Sequence, residues 1–220
     1  MNSANTTLLF DEPPCRAVQG TLDPLVGLGF RCIVADPPWD LKIGAKRTNG
    51  ERGGWNKPEY MDINSLEYPT MTVDEIAAMP VSGVAGKDAH LYIWTINAYV
   101  AQTYAIAEAW GFRPASLLTW CKAPMGLGLG GTFCNTSEFI LFARRGTLKA
   151  ERRIDSTWWG WARGRHSAKP EAFQSMVETV SPGPRLELFA RRPRPGWTVW
   201  GNEVEANTHL TSPNGPGGTP

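Results

Sequence analysis

An apolar run, Ile33-Val34-Ala35, opens directly onto an acid, two prolines and an indole: Asp36, Pro37, Pro38 and Trp39. Proline has no N–H and a fixed φ, so Pro37 and Pro38 end the strand, keep the backbone extended and offer only carbonyl oxygens. Asp36 adds a carboxylate at the lip of that strand, and Trp39 adds a flat apolar face. Such a ledge accepts hydrogen bonds and stacks rings, which suits a planar ring bearing an amino group, adenine being one. The amine of adenine is a weak nucleophile because its lone pair is delocalised into the ring. If the Asp36 carboxylate and the Pro37 carbonyl accept both amino hydrogens, the nitrogen can pyramidalise and aim its lone pair at an electrophilic methyl group. The charge developing on nitrogen is then stabilised by groups already in place. A base stacked on Trp39 would gain about 1–3 kcal/mol. An Asp-Pro-Pro alone could equally be a turn after an edge strand; the apolar strand before it and the tryptophan after it favour chemistry.

Asp36-Pro37-Pro38-Trp39 resembles the catalytic signature of amino-methyltransferases that act on adenine. The chain as a whole resembles the family of the catalytic seventy-kilodalton subunit of the mRNA adenosine methyltransferase, with its bacterial and phage relatives. Tyr68-Pro69-Thr70-Met71-Thr72 is similar to the family's Tyr-x-Thr-Met-Ser/Thr segment, and His90-Leu91-Tyr92-Ile93-Trp94 to its aromatic second strand. Ser181-Pro182-Gly183 and Glu187-Leu188-Phe189-Ala190-Arg191 are similar to its Ser-Pro-Gly and Glu-Leu-Phe-Gly/Ala-Arg run, and Trp197 through Asn202 to its closing Trp-x-x-x-Gly-Asn. The resemblance implies a Rossmann-like α/β fold dependent on S-adenosylmethionine, with a mostly parallel sheet, helices on both faces and permuted motif order. It implies Asp36, Pro37, Pro38 and Trp39 as catalytic residues. On the cofactor side it implies Lys169 against the methionine carboxylate, Asn202 and Glu203 on the ribose hydroxyls, and Arg191 beside the ribose. It also implies pairing, as a homodimer or with a partner subunit.

With 220 residues, 42% of them hydrophobic, the chain is long enough for one α/β domain and its core. That domain is expected over residues 30–204, after a partly loose segment at 1–29 and before a disordered tail at 205–220 rich in Asn, Thr, Ser, Pro and Gly. Within it, Thr72 caps a short helix over 73–79, stopped at Pro80, and Asn97 caps a helix to Trp110 closed by Gly111. Pro170 starts a helix through Val180, and strands are expected at 89–94, 115–121, 138–143, 186–190 and 198–200. Strands alternating with helices mean an open, mostly parallel sheet. Residues 15–29 give no clear pattern.

The four cysteines form no Cys-x-x-Cys pair and the three histidines are scattered, so no metal site or disulfide framework is expected. No apolar run approaches the roughly 20 residues of a membrane span, and the polar N-terminus is unlike a signal peptide, so the expected compartment is cytoplasmic. Gly126-Leu127-Gly128-Leu129-Gly130-Gly131 satisfies Gly-x-Gly-x-x-Gly, but a phosphate cradle needs a helix immediately behind the glycines and residues 132–143 read as a strand.

Net charge is only +1, yet the charge is unevenly spread: Arg144 to Lys169 is a basic stretch interleaved with Trp158, Trp159 and Trp161. Arg152, Arg153, Arg163 and Arg165 are therefore candidate phosphate contacts, with the indoles either stacking bases or filling core. The segment 40–66 is too long for an ordinary connection and carries Lys46, Arg47, Arg52 and Trp55 just after the ledge. With Tyr68, these are the expected nucleic-acid contacts and the expected source of sequence choice. The target is expected to be DNA rather than RNA, as in the short microbial members. RNA adenosine methylation and a catalytically silent nucleic-acid-binding partner subunit are the alternatives.

Overall fold

The structure is a computed structural model and describes residues 15–40, 69–122, 133–162, 169–201 and 204. In chain order its first half contains β1 (Arg16–Val18), β2 (Phe30–Ala35), α1 (Val73–Ala77), α2 (Val81–Val84), β3 (Ala85–Thr95), α3 (Val100–Ala109) and β4 (Arg113–Cys121). Then follow β5 (Ser137–Arg145), β6 (Trp158–Trp159), α4 (Glu171–Val180), β7 (Arg185–Leu188) and β8 (Trp197–Trp200). The eight described strands form one sheet in the order β1-β8-β7-β2-β3-β5-β4-β6. Every neighbouring pair is parallel except the two made by β5, which runs against β3 and β4.

β2 lies inside the sheet, between β7 and β3, so both its faces must be apolar. Ile33 and Ala35 point into a core shared with Ile76 of α1, Ile106 of α3 and Trp110. Cys32 and Val34 point to the opposite core, with Tyr92 and Trp94 of β3 and with Phe173 and Val177 one turn apart on α4. Helices therefore cover both faces, as expected. Burying a side chain such as Ile33 contributes about 1.5–3 kcal/mol, so a charge there would cost the sheet its central strand.

Local rules account for the helix ends. Thr72 Oγ1 accepts from the Glu75 N–H at 3.2 Å while the Glu75 carboxylate accepts from the Thr72 N–H at 2.8 Å, a complete capping box. Gly111, at φ +82°, turns the chain out of α3 in the left-handed region.

Several elements depart from the sequence expectation. The sheet starts before residue 30, because Arg16–Val18 pairs with β8 as an edge strand. Trp158 and Trp159 form the opposite edge strand against Thr119 and Trp120. The expected loose N-terminus, most of the 40–66 segment, the glycine-rich 126–131 and the tail at 205–220 lie outside the described residues. The element after the glycines is β5 and not a helix, so the dinucleotide fingerprint lacks the cradle it requires.

From β2 the chain crosses to β3 on one side, and the strand on the other side is β7, reached only after α4. Between the C-terminal ends of β2 and β7 the topology switches direction, and open parallel sheets bind ligands in the crevice outside such a point. Asp36 leaves β2, and Phe189, Ala190 and Arg191 leave β7, at that crevice.

Candidate active site

The ledge is held by its own backbone. The Trp39 N–H donates to the Pro37 carbonyl at 2.9 Å, the Met71 N–H to the Pro38 carbonyl at 2.9 Å, and the Asp36 N–H to Leu188 of β7 at 3.4 Å. Two proline carbonyls thus fix the turn, each keeping a second lone pair. Trp39 corrects the expectation of an open stacking platform. Its indole is only 7% exposed, it stacks on Tyr99 at 5.0 Å and 15°, and its Nε1 donates to the Trp94 carbonyl at 3.2 Å. With one face covered and the ring in the core, Trp39 anchors the ledge and offers no open face to a base. The Tyr99 hydroxyl closes the same corner by donating to the Asp40 carbonyl.

Beside the ledge stands a row of alternating charges. Lys169 Nζ lies 3.0 Å from Asp36 Oδ1 and 3.0 Å from Glu138 Oε2, and Lys122 Nζ lies 2.5 Å from Glu138 Oε1. Lys169 also sits 4.9 Å from the centre of the Trp94 ring, and Lys122 5.5 Å from that of Trp120. Desolvation opposes the charge on Lys169, yet the carboxylates of Asp36 and Glu138 outweigh it and raise its pKa above the usual lysine value. At Glu138 burial works against the charge, but Lys169 and Lys122 more than offset it and lower the pKa. Two carboxylates and two lysine amines thus alternate along the row, the pairing under which partly buried charges are tolerated. Lys169 was expected on the methionine carboxylate; instead, two of its three donors are already taken by Asp36 and Glu138.

Glu138 and Lys122 were not among the sequence candidates. A signal existed, since Glu138 is an acid opening the otherwise apolar Phe139-Ile140-Leu141 run. Its partner, however, lies 31 residues on, beyond any local pattern.

On the other side of the switch point the chain leaves β7 through Phe189, a non-glycine residue at φ +62°. A bulky side chain there costs about 1–3 kcal/mol and marks a turn that its surroundings enforce. Phe189 meets Trp200 edge-to-face at 5.5 Å. The Ala190 N–H donates to the Trp200 carbonyl at 2.9 Å, and a Cβ on Gly201 would fall 2.2 Å from the Ala190 carbonyl oxygen. Only glycine lets the exits of β7 and β8 approach this closely, which brings Arg191, exposed just beyond, towards the end of β8.

Under this turn a cavity of about 350 Å³ is lined by Glu171, Gln174, Glu187, Arg192 and Arg194. Gln174 Oε1 is buried without a hydrogen-bond partner. Burial, then the nearby Asp36 carboxylate, push Glu187 up to about 7, with Arg192 and Arg194 pulling the other way. An unpartnered amide oxygen beside a carboxyl poised near neutrality suits a bound ammonium.

The remaining candidates divide. Arg152 and Arg153 are exposed on the far part of the α4 face. Lys46, Arg47, Arg52, Trp55, Tyr68, Arg163, Arg165, Asn202 and Glu203 lie outside the described residues. Among the described residues no His, Cys, Asp and Glu cluster could hold a metal, and no helix is long and apolar enough to cross a membrane.

Comparison with protein families matches the MT-A70 family over residues 30–203. Among curated proteins, the chain is similar to the type II methyltransferase M.MunI of a Mycoplasma species, 28% identical over 186 residues, spanning 81% of this chain and 79% of that one. It is 48% identical over 199 residues to the human N(6)-adenine-specific methyltransferase METTL4, spanning 82% of this chain and 39% of that one. It is 25% identical over 195 residues to the human N(6)-adenosine-methyltransferase catalytic subunit METTL3, spanning 84% and 30%. The chain therefore spans well under half the length of the two human relatives.

Proposed function

The chain belongs to the MT-A70 family, and from that premise we propose that it transfers a methyl group from S-adenosylmethionine to the exocyclic amine of adenine in a nucleic acid. The observation that carries the reading is the Asp36 carboxylate at the mouth of β2, beside the proline carbonyls and 3.0 Å from Lys169 Nζ.

S-adenosylmethionine, when bound, would supply the electrophilic methyl group, its sulfur keeping the sulfur–carbon electron pair in the thioether product S-adenosylhomocysteine. In the cavity of mixed charge, the unpartnered Gln174 Oε1 and the Glu187 carboxyl would accept from its ammonium, and the close approach of the β7 and β8 exits at Gly201 would border its nucleoside end. Arg191, Asn202 and Glu203 would serve that end. Asp36 and the free lone pair of the Pro37 carbonyl accept the two amino hydrogens of the adenine, which concentrates the nitrogen lone pair. As the nitrogen–carbon bond forms, positive charge grows on the amine, and Asp36 answers it at a distance fixed beforehand by Lys169. The surplus amine proton then leaves through the Asp36 carboxylate, the nearest acceptor. Glu138 neutralises the far side of Lys169 and so keeps that lysine from competing for the whole of Asp36.

Because the adenine amine lies inside a duplex, the base must be extruded or presented on a single strand. We infer DNA as the polymer, from the resemblance to the short microbial members of the family. The test gives purified protein and labelled S-adenosylmethionine to DNA and RNA pools, digests the products to nucleosides and identifies them by mass. N6-methyladenine in DNA is expected. Methyladenosine in RNA alone overturns the DNA assignment, methylated cytosine overturns the base, and no product with either pool favours the silent-partner reading.

A further inference from the structure

The face of the sheet covered by α4 carries a second cavity, of about 360 Å³, that the methyl-transfer chemistry does not use. Three aromatic rings line it: Phe142, Tyr92 and Trp159. Tyr92 is 2% exposed with its hydroxyl engaged by Ser181 Oγ at 2.8 Å, so it forms the floor of the cavity, while Phe142 and Trp159 are only partly buried and Trp159 has one face stacked on Trp161 at 5.0 Å. Three arginines, Arg144, Arg152 and Arg153, share the lining. The Arg144 guanidinium lies 5.7 Å from the Phe142 ring centre, and its Nε is buried without a hydrogen bond. Among the described residues no carboxylate pairs with Arg144 or Arg152, and Arg153 pairs only with the exposed Asp155. Buried polar groups are nearly always satisfied, so an orphaned guanidinium donor beside two further arginines calls for an anion.

Glu138 and Arg144 lie on one face of β5 six residues apart, which separates this cavity from the catalytic charges by about 20 Å of extended strand. We propose that it is a second binding site, taking a nucleotide: a planar base against the aromatic rings and a phosphate on Arg144, Arg152 and Arg153. Bases of every kind stack on aromatic faces, and the guanidinium fork matches phosphate, so the lining suits both halves of that ligand. The volume falls at the small end of ligand pockets, enough for one such unit. The nucleotide is either free or part of the strand whose adenine sits at the ledge. This goes beyond the methyl-transfer reading and does not depend on it.

The test uses the full chain, calorimetry at one fixed salt concentration, and two ligands without adenine: thymidine monophosphate and a twelve-residue oligothymidylate. Neither contains the target base, so failure of the catalytic reading cannot imitate failure here. Ser116→Phe and Thr157→Phe each fill the cavity from an exposed lining position and leave every arginine in place; melting temperatures show which variant keeps the fold. A loss of affinity of about tenfold or more in the folded variants, the worth of one stacked base, is expected. If thymidine monophosphate shows it, the site takes a free nucleotide; if only the oligomer shows it, the site takes a nucleotide of the strand. Wild-type affinity for both ligands in a folded, cavity-filled variant overturns the proposal, even if Arg152→Gln and Arg153→Gln weaken the oligomer, because diffuse surface charge would then account for the binding.

Discussion

Lys169 Nζ stands 3.0 Å from Asp36 Oδ1 and so ties the residue ahead of α4 to the mouth of β2. The carboxylate proposed to act on the target amine is thereby fixed by a group from the far half of the chain. Glu138 takes the second donor of the same lysine, which leaves the network intact when either carboxylate is altered alone. The two carboxylates can therefore be separated by experiment.

Asp36→Ala is expected to abolish methyl transfer and to leave S-adenosylmethionine affinity close to wild type, since the carboxylate acts chiefly on the target amine. Its side chain and that of Lys169 are each 22% exposed, and Lys169 keeps Glu138, so the stability loss should be about 1–3 kcal/mol, that of one charged hydrogen bond. Turnover with labelled donor, calorimetry and a melting curve check the three parts. Wild-type turnover would remove Asp36 from the mechanism.

Lys169→Met should lower the maximal rate more than it weakens the donor, because two of the three Lys169 donors are engaged by Asp36 and Glu138. It removes the cation paired with Asp36 while Glu138 keeps Lys122, so Asp36 faces the Glu138 carboxylate without its partner and its proton affinity rises. The rate should then recover partly as pH rises, a profile that a lysine bound to the cofactor carboxylate would not give. A large fall in donor affinity with unchanged maximal rate would restore the cofactor role.

The strands and helices were largely legible in the sequence, because they rest on local rules. β2 shows as an apolar run with no polar interruption save Arg31, α1 as a Thr-x-x-Glu box, and α4 as Phe173 and Val177 one turn apart behind a proline. The charge row was not legible. Glu138 meets its two lysines only because β5 runs antiparallel to β4 and because the residue ahead of α4 returns over that edge, and no spacing along the chain encodes either event. The setting of Trp39 is illegible for a related reason: a residue type says that a ring is present, while its burial against Tyr99 is decided by tertiary packing. The basic stretch likewise read as one patch, yet Arg152 and Arg153 line a cavity remote from Asp36.

Glu138→Gln tests the linkage of the charge row to stability. Glu138 has its pKa lowered from 4.5 in the folded protein, so between the two values the unfolded chain binds more protons and stability rises with pH. Its contribution is complete above about 4.5 and is lost as pH falls through the lower folded value. Lys169 works in the opposite sense. Its pKa is raised above 10.5, so its contribution is complete below that value and disappears as pH climbs past the folded one. Denaturant melts of the wild type should lose stability at both ends, whereas Glu138→Gln should flatten the acid limb. An unchanged acid limb would mean that Glu138 is not ionised in the row.

Gly201→Ala is the test of the β7–β8 turn. The added Cβ would meet the Ala190 carbonyl oxygen at 2.2 Å and the Ala190 nitrogen at 2.9 Å, both backbone atoms that cannot swing aside as a side chain would. Separating the strand exits should cost about 1–3 kcal/mol of overpacking and weaken S-adenosylmethionine by a larger factor than it weakens oligonucleotide. Equal weakening of both would indicate general unfolding in place of a cofactor-side defect.

Glu187 offers the sharpest pH signature. Its carboxyl is pushed up from 4.5 to about 7, first by burial and then by Asp36, against the pull of Arg192 and Arg194. The folded protein therefore holds a proton that the unfolded chain has lost, and stability falls as pH rises from about 4.5 to about 7, then levels. At about 1.4 kcal/mol per unit the fall amounts to roughly 3 kcal/mol, an upper figure for a group beside an open cavity. Glu187→Gln should erase that slope and leave the protein more stable than wild type above pH 7. Donor affinity should move the other way, since only the ionised carboxyl attracts the ammonium of S-adenosylmethionine. Wild-type affinity should thus increase through pH 7 while that of Glu187→Gln stays flat, and a slope common to both proteins would assign the titration to another group.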